Sequence, residues 1–169
     1  MSRNYKYGPD HYRRKTVMKD SNMTTGAETV IYTRYYDGNY EKEINATGTK
    51  EFYYISSPVG IIAVYIVTNG SGQLYYTLTD HLGSIIALMD ENGTVVEETN
   101  YDPWGRVRNS NDWTYANAQP LSLIFRGFTG HEMLPEFGLI NMNGRLYDPA
   151  LGRFLSPDNY VQLPKKAFF

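Results

Sequence analysis

Asp148 and Asp158 stand near the end of the chain, with Arg145 and Arg153 beside and between them. Two carboxylates brought together can share a proton and activate water. The competing reading is structural. Asp148 belongs to an Asp-Pro pair, and Asp158 lies between Pro157 and Asn159, so both sit in turn contexts. His131-Glu132 resembles the start of a zinc-protease helix motif, but the second histidine would fall at Pro135. Asp80-His81 is an acid–base or metal pair in type, yet it runs straight into Leu82-Gly83-Ser84, a turn composition. Three His and no Cys argue against a metal centre. Ser84 and Ser156 lack a nucleophile-elbow context, and no Gly-rich phosphate loop is present. Asn45-Ala46-Thr47 matches a glycosylation sequon. The expectation is no metal, no cofactor and no assigned catalytic residue, with Asp158 as a vestigial candidate.

The elements that would hold these residues are announced by a doubled string. Tyr101-Asp102-Pro103-Trp104-Gly105-Arg106 and Tyr147-Asp148-Pro149-Ala150-Leu151-Gly152-Arg153 each combine a ring, a turn and a cation. In the first copy, Asp can bond a backbone N–H two residues on, Pro presets φ, and Gly fits the fourth position of a type I turn. The second copy has one more residue between Pro149 and Gly152, so its loop is longer or bulged. Arg106 and Arg153 are placed to stack on a Tyr ring or pair with an Asp. Tyr35-Tyr36-Asp37-Gly38-Asn39-Tyr40 is a weaker echo.

Composition suits this reading. A chain of 169 residues, 41% apolar, can bury one core. Its 16 Tyr against 2 Trp and 7 Phe suit sheets with one half-wet face. The net charge of −2 does not suggest a nucleic-acid partner. Charge is uneven: residues 1–20 are net +4, 21–100 net −7 and 101–169 net +1. The basic start is a candidate nucleic-acid or lipid arm, but Tyr5, Tyr7 and Tyr12 interrupt it, which favours a partly ordered lead-in strand. Residues 1–20 lack the apolar stretch of a signal peptide. The longest apolar run, 59–67, is too short for a membrane helix. The absence of Cys leaves the compartment undecided.

Most segments read as strands: 48–55, 61–68, 73–78, 84–89, 94–101 and 107 onward. Asn69-Gly70-Ser71-Gly72 is a hairpin turn, and Asp90-Glu91-Asn92-Gly93 a second one built on Asn-Gly. Residues 109–119 read as a loop, and 127–147 as turns and short strands. The fold class is all-β, an antiparallel hairpin meander with short turns or helical pieces near the C-terminus.

Three strings carry a resemblance: Gly127-Phe128-Thr129-Gly130-His131-Glu132, the run 138–149 ending in Arg145-Leu146-Tyr147-Asp148-Pro149, and Leu151-Gly152-Arg153-Phe154-Leu155-Ser156-Pro157-Asp158. Together they resemble the Rhs repeat-associated core of bacterial Rhs and YD-repeat proteins. Asp80-His81-Leu82-Gly83-Ser84 and Tyr101–Arg106 are similar to the YD-repeat region leading into it. The resemblance divides the chain into a YD-repeat-like lead-in, 1–73, and a core, 74–169, truncated at its C-terminal end. It implies that the repeats form part of a hollow β-shell enclosing a C-terminal toxin, and that the core plugs one end.

In many members the core is also an aspartic autoprotease that releases the toxin, and Asp158 matches an aspartate of that site. Here Pro157 replaces the Arg that often precedes it, and Asn159 the usual Pro that follows. The family's further aspartate and its Asp-Pro-x-Gly-Leu cleavage motif would fall after Phe169. Self-cleavage is therefore not expected. The motif residues Tyr101, Asp102, Pro103, Gly105, Arg106, Arg145, Tyr147, Asp148, Pro149, Gly152 and Arg153 are expected to be structural.

The expected partners are other YD-repeat segments, or copies of the chain joined through sheet edges, and a toxin domain in full-length relatives. Those relatives are secreted or cell-surface. Two other readings stay open: a surface glycan-binding or adhesion module, with exposed Tyr, Trp104 or Trp113, and a remnant aspartic protease core.

Overall fold

The computed structural model describes residues 1–22 and 24–158. It divides into two compact units, Met1–Glu98 and Thr99–Phe169. The first is one antiparallel sheet of nine strands: β1 Ser2–Tyr7, β2 Arg13–Ser21, β3 Glu28–Asp37, β4 Tyr40–Asn45, β5 Gly48–Ser57, β6 Gly60–Thr68, β7 Ser71–Thr79, β8 Ile85–Met89 and β9 Val95–Glu98. Each strand pairs only with its sequence neighbours, so β1 and β9 are the edges. The fold is an all-β meander, and the basic lead-in forms its edge strand β1 and the neighbouring strand β2.

Period-two alternation selects the faces. Phe52 and Tyr54 on β5 are buried, while Tyr53 and Ile55 between and after them are exposed. Register sets Phe52 opposite Ile66, and Tyr54 opposite Val64, which in turn faces Tyr75. These rows form an apolar seam. The same face becomes charged on β3 and β4. Arg34, 3% exposed, lies opposite Glu43, and its Nη2 donates to Glu43 Oε2 at 2.6 Å. Glu41 is fully buried opposite Phe52. Buried charges of this kind need partners, because desolvation costs each ion several kcal/mol.

The β6–β7 loop is the two-residue Asn69-Gly70 turn, with φ of 49° and 88°, as a type I′ hairpin requires. The Asn69 side chain also clasps the neighbouring β4–β5 turn: Oδ1 accepts the Thr49 N–H at 2.8 Å, and Nδ2 donates to the Thr47 carbonyl. The β8–β9 turn is not the Asn-Gly turn expected. Asp90 closes a longer loop: its N–H reaches the Thr94 carbonyl, and only Gly93 has positive φ. Asp90 Oδ1 accepts from both Asn92 and Thr94, which outweighs the local Asn-Gly preference.

One strand expected from the sequence differs in the structure. The strand expected over 94–101 is broken at Thr99, whose Oγ1 donates to the Gln119 carbonyl, so residues 95–98 and 100–101 join different sheets. β7 spans residues 71–79, and the nine-stranded sheet continues from it through β8 and β9.

The second unit holds the hairpin β10 Asn100–Tyr101 and β11 Val107–Arg108. It also holds a four-stranded meander: β12 Glu132–Leu134, β13 Leu139–Asn141, β14 Leu146–Asp148 and β15 Arg153–Phe154. Short 3₁₀ turns occupy Phe128–Gly130 and Pro135–Phe137. Ile124, Phe128, Leu134, Ile140, Tyr101 and Tyr147 are its buried apolar residues.

Removing one partner of the buried ion pair leaves the other charge uncompensated. Arg34→Met is expected to destabilise the chain by about 3–5 kcal/mol, and adding Glu43→Leu to recover most of that loss, in urea unfolding followed by circular dichroism. Gly48 has φ of 133°, and a Cβ there would stand 2.0 Å from Asn69 Oδ1. At Gly72, whose φ is unstrained, the obstruction is the end of the mobile Tyr65 side chain. Gly48→Ala is therefore expected to cost ~1–3 kcal/mol and to exceed Gly72→Ala in the same measurement.

Candidate functional site

The aspartates that invite a catalytic reading are built into turns. Asp102 leads from β10 into β11, with its N–H bonded to the Arg106 carbonyl at 2.9 Å and its carbonyl to the Gly105 N–H at 3.0 Å. Asp102 Oδ1 accepts the N–H groups of Trp104 and Arg106 at 2.8 and 2.9 Å. Pro103 occupies the second position, and Gly105 has φ of 89°. Asp80 and Asp90 make the same set of four bonds with Leu82, Gly83 and Ser84, and with Asn92, Gly93 and Thr94. The shared signal is Asp-x-x-Gly-x, present at 80, 90 and 102.

The remaining Asp102 oxygen accepts the Tyr115 hydroxyl at 2.8 Å. Arg106 lies over the Tyr115 ring, 3.8 Å from its centroid. Arg108 donates to Asn100 Oδ1 and to the Tyr101 carbonyl, and faces the Trp113 ring. The loop over residues 109–119 is thus latched to the first Tyr-Asp-Pro turn. Trp113 within it adopts φ of 61°, a strained conformation for a bulky side chain.

The second copy has the longer loop its sequence requires. Asp148 pairs in register with Arg153, and its Oδ1 accepts the N–H groups of Ala150 and Leu151. Pro149 is buried, and Gly152 has φ of 64°. Arg145 lies 3.8 Å from the Phe154 ring centroid, and its Nη2 is 3.1 Å from Asp158 Oδ2. The two aspartates therefore serve different partners: Asp148 the backbone of its own turn, and Asp158 a guanidinium at an exposed position. Tyr147 meets Phe154 edge-on, with centroids 5.4 Å apart.

The two copies also meet, a contact that sequence spacing alone does not reveal. The Trp104 indole rests on Gly152, where an added Cβ would come within 3.3 Å of it. The Phe128 ring covers Gly105 in the same way and tilts against Tyr101 at 5.7 Å. Burial, and then the charges of Asp102 and Asp148, push the Tyr147 hydroxyl above the ordinary phenol range.

Glu132 is buried on strand β12, where Asn141 Nδ2 donates to it, so His131-Glu132 is not on a helix. His131 Nδ1 lies 2.8 Å from Thr129 Oγ1. Ser84 is buried and Ser156 exposed.

With this geometry in hand, the Teneurin YD-shell family profile matches residues 6–167. The chain belongs to the Teneurin YD-shell family. Salivary gland surface protein 1 of Aedes aegypti is 29% identical over 95% of this YD-shell chain, and the tRNA3(Ser)-specific nuclease WapA of Bacillus spizizenii is 30% identical over 73% of it. Teneurin-m of Drosophila melanogaster is 32% identical over 50% of the chain. The YD-shell chain spans only 3–5% of these relatives' lengths. Among solved structures, TcdB2-TccC3 matches with a TM-score of 0.71 at 22% identity, over 93% of this chain and 8% of that one. A Photorhabdus luminescens Tc holotoxin pore matches with a TM-score of 0.68 at 21% identity, over 91% and 7%. The fold of this chain is thus that of an Rhs/YD-repeat shell.

Two predictions follow from the YD-shell site. Tyr115→Phe removes the bond to Asp102 and is expected to speed proteolytic nicking within residues 109–119 while leaving β-sheet circular dichroism intact. Burial, and then the Arg126 charge, hold His131 below the ordinary imidazole pKa of 6.5. The folded state thus favours the neutral ring. Its stability contribution is present above about 6.5 and is lost as pH falls through the folded value. The urea midpoint should fall between pH 7.5 and 5.5 by less in His131→Gln than in the parent chain (both pH values about one unit from the imidazole range).

Proposed function

We propose that this chain is a non-enzymatic wall segment of an Rhs-type β-shell, and that the complete shell encloses and delivers a toxin. The observation that carries the reading is the open nine-stranded meander, matched in fold by the Tc toxin structures. Among the described residues β1 and β9 are the two edges of the sheet, the natural joint to further YD-repeat strands. Relatives named as a nuclease and as Tc toxin components support the cargo half of the proposal. In it, the Tyr-Asp-Pro residues fasten turns, and Asp148 and Asp158 cut nothing.

The isolated chain should associate through its edges. Size-exclusion chromatography is expected to give oligomers or aggregates, and a stable soluble monomer would count against the open-wall reading. The cargo half is tested separately: deleting this segment from a complete shell should expose the enclosed domain to added protease. Incubation of the wild-type chain between about pH 3 and 8, the range bracketing carboxylate titration, should leave it uncut. Cleavage that disappears in Asp158→Ala would instead establish the aspartic protease reading.

A second reading rests on Trp104 and Trp113, both more than half exposed. Such rings suit stacking on sugars, and a glycan array with no signal above background ends that reading.

A further inference from the structure

Register on the exposed face of the large sheet brings three tyrosines into one row. Tyr40 on β4 lies opposite Tyr53 on β5, and Tyr53 opposite Tyr65 on β6. Their ring centroids are 5.0 and 6.3 Å apart, tilted by 48° and 47°. Tyr53 and Tyr65 are each 42% exposed, open to a small oxidant. The Tyr53 hydroxyl donates to Glu51 Oε2 at 3.2 Å, and Glu51 Oε1 accepts from Lys42 Nζ at 2.8 Å. That hydrogen bond from Lys42 holds the Glu51 carboxyl below its ordinary range, so a proton acceptor stands at the phenol. The chain has 16 tyrosines and no cysteine, so a covalent staple between its strands cannot be a disulfide.

We infer that Tyr40, Tyr53 and Tyr65 form an oxidisable row in which Tyr53 cross-links to a neighbouring strand as dityrosine. Each of two phenols loses one electron and one proton, with the Tyr53 proton passing to Glu51. The two phenoxyl radicals join through ortho carbons, a C–C bond forms, and each ring regains aromaticity as its ortho hydrogen moves to oxygen. The pair has lost two electrons and two protons, which hydrogen peroxide, through a peroxidase, takes up as two waters. Rings already in contact need only side-chain rotation to couple, a motion far faster than encounter between chains. Such a bond would fix the register of β5 with β4 or β6 in a chain that has no cysteine for a disulfide.

The test treats the full 169-residue chain with peroxidase and hydrogen peroxide at low protein concentration. Dityrosine fluorescence and peptide mapping then locate the products. The expected product lacks two hydrogens, stays within one chain, and joins the Tyr53 peptide to that of Tyr40 or Tyr65. Tyr53→Phe keeps the ring and the fold, checked by circular dichroism, and should abolish this product. Tyr76→Phe should leave it unchanged, and Glu51→Gln should slow it several-fold. Tyr7 and Tyr12 are more exposed, at 61% and 73%. Cross-links dominated by those two residues, or formed only between chains, or undiminished in Tyr53→Phe, would overturn the inference.

Discussion

A side-chain oxygen that accepts backbone N–H groups from the turn it begins is the interaction on which this fold depends. A meander of short strands reverses direction at every loop, and each reversal leaves donors that neither strand can satisfy. Asn22, Asn45, Asp80, Asp90, Asp102 and Asp148 each supply an oxygen for that purpose. These bonds help to hold register at the loops where they occur, and a slip of one residue would move Phe52 and Val64 to the exposed face. The consequence for function is direct. Carboxylates whose oxygens already accept backbone donors are poor candidates for proton transfer.

Tyrosine and arginine answer a different constraint. The buried face of β3 and β4 carries the charged side chains Arg34, Glu41 and Glu43. Arg34 is held by Glu43 on one side and lies 4.9 Å from the Tyr32 ring centroid. Rings with a polar end can line such a face where leucine would leave the ions unpartnered. The tyrosine content thus reflects a mixed interior as much as a half-wet exterior.

Much of this was legible in the residues, and the gaps have physical causes. The β6–β7 hairpin could be read because β-branched runs flank Asn69-Gly70 and local chemistry agrees with tertiary pairing. At the Asp90 turn Asn92-Gly93 is a strong local signal, while the deciding bonds start two residues earlier. The break at Thr99 could not be seen, since its cause is a bond to Gln119, twenty residues on. Arg34–Glu43 pairing needs the β3–β4 register, which no short string discloses. At the candidate site, the Asp-Pro contexts already pointed to turns, whereas Arg145 as the partner of Asp158 emerges only from three-dimensional placement.

The extra residue in the second Tyr-Asp-Pro copy separates the roles of the two copies. In the first, glycine is the third residue after aspartate, so the turn closes tightly and Gly105 lies beneath Phe128. In the second, glycine is the fourth, the loop widens, and Gly152 lies beneath Trp104 of the first copy. Each glycine supplies a left-handed backbone; at Gly105 the Phe128 ring also takes the space of a Cβ, and at Gly152 a Cβ would be tight against Trp104. A second copy as tight as the first would not present Gly152 in this way. The asymmetry therefore converts a repeated string into an interlocking pair, with Gly105 beneath Phe128 and Gly152 beside Trp104.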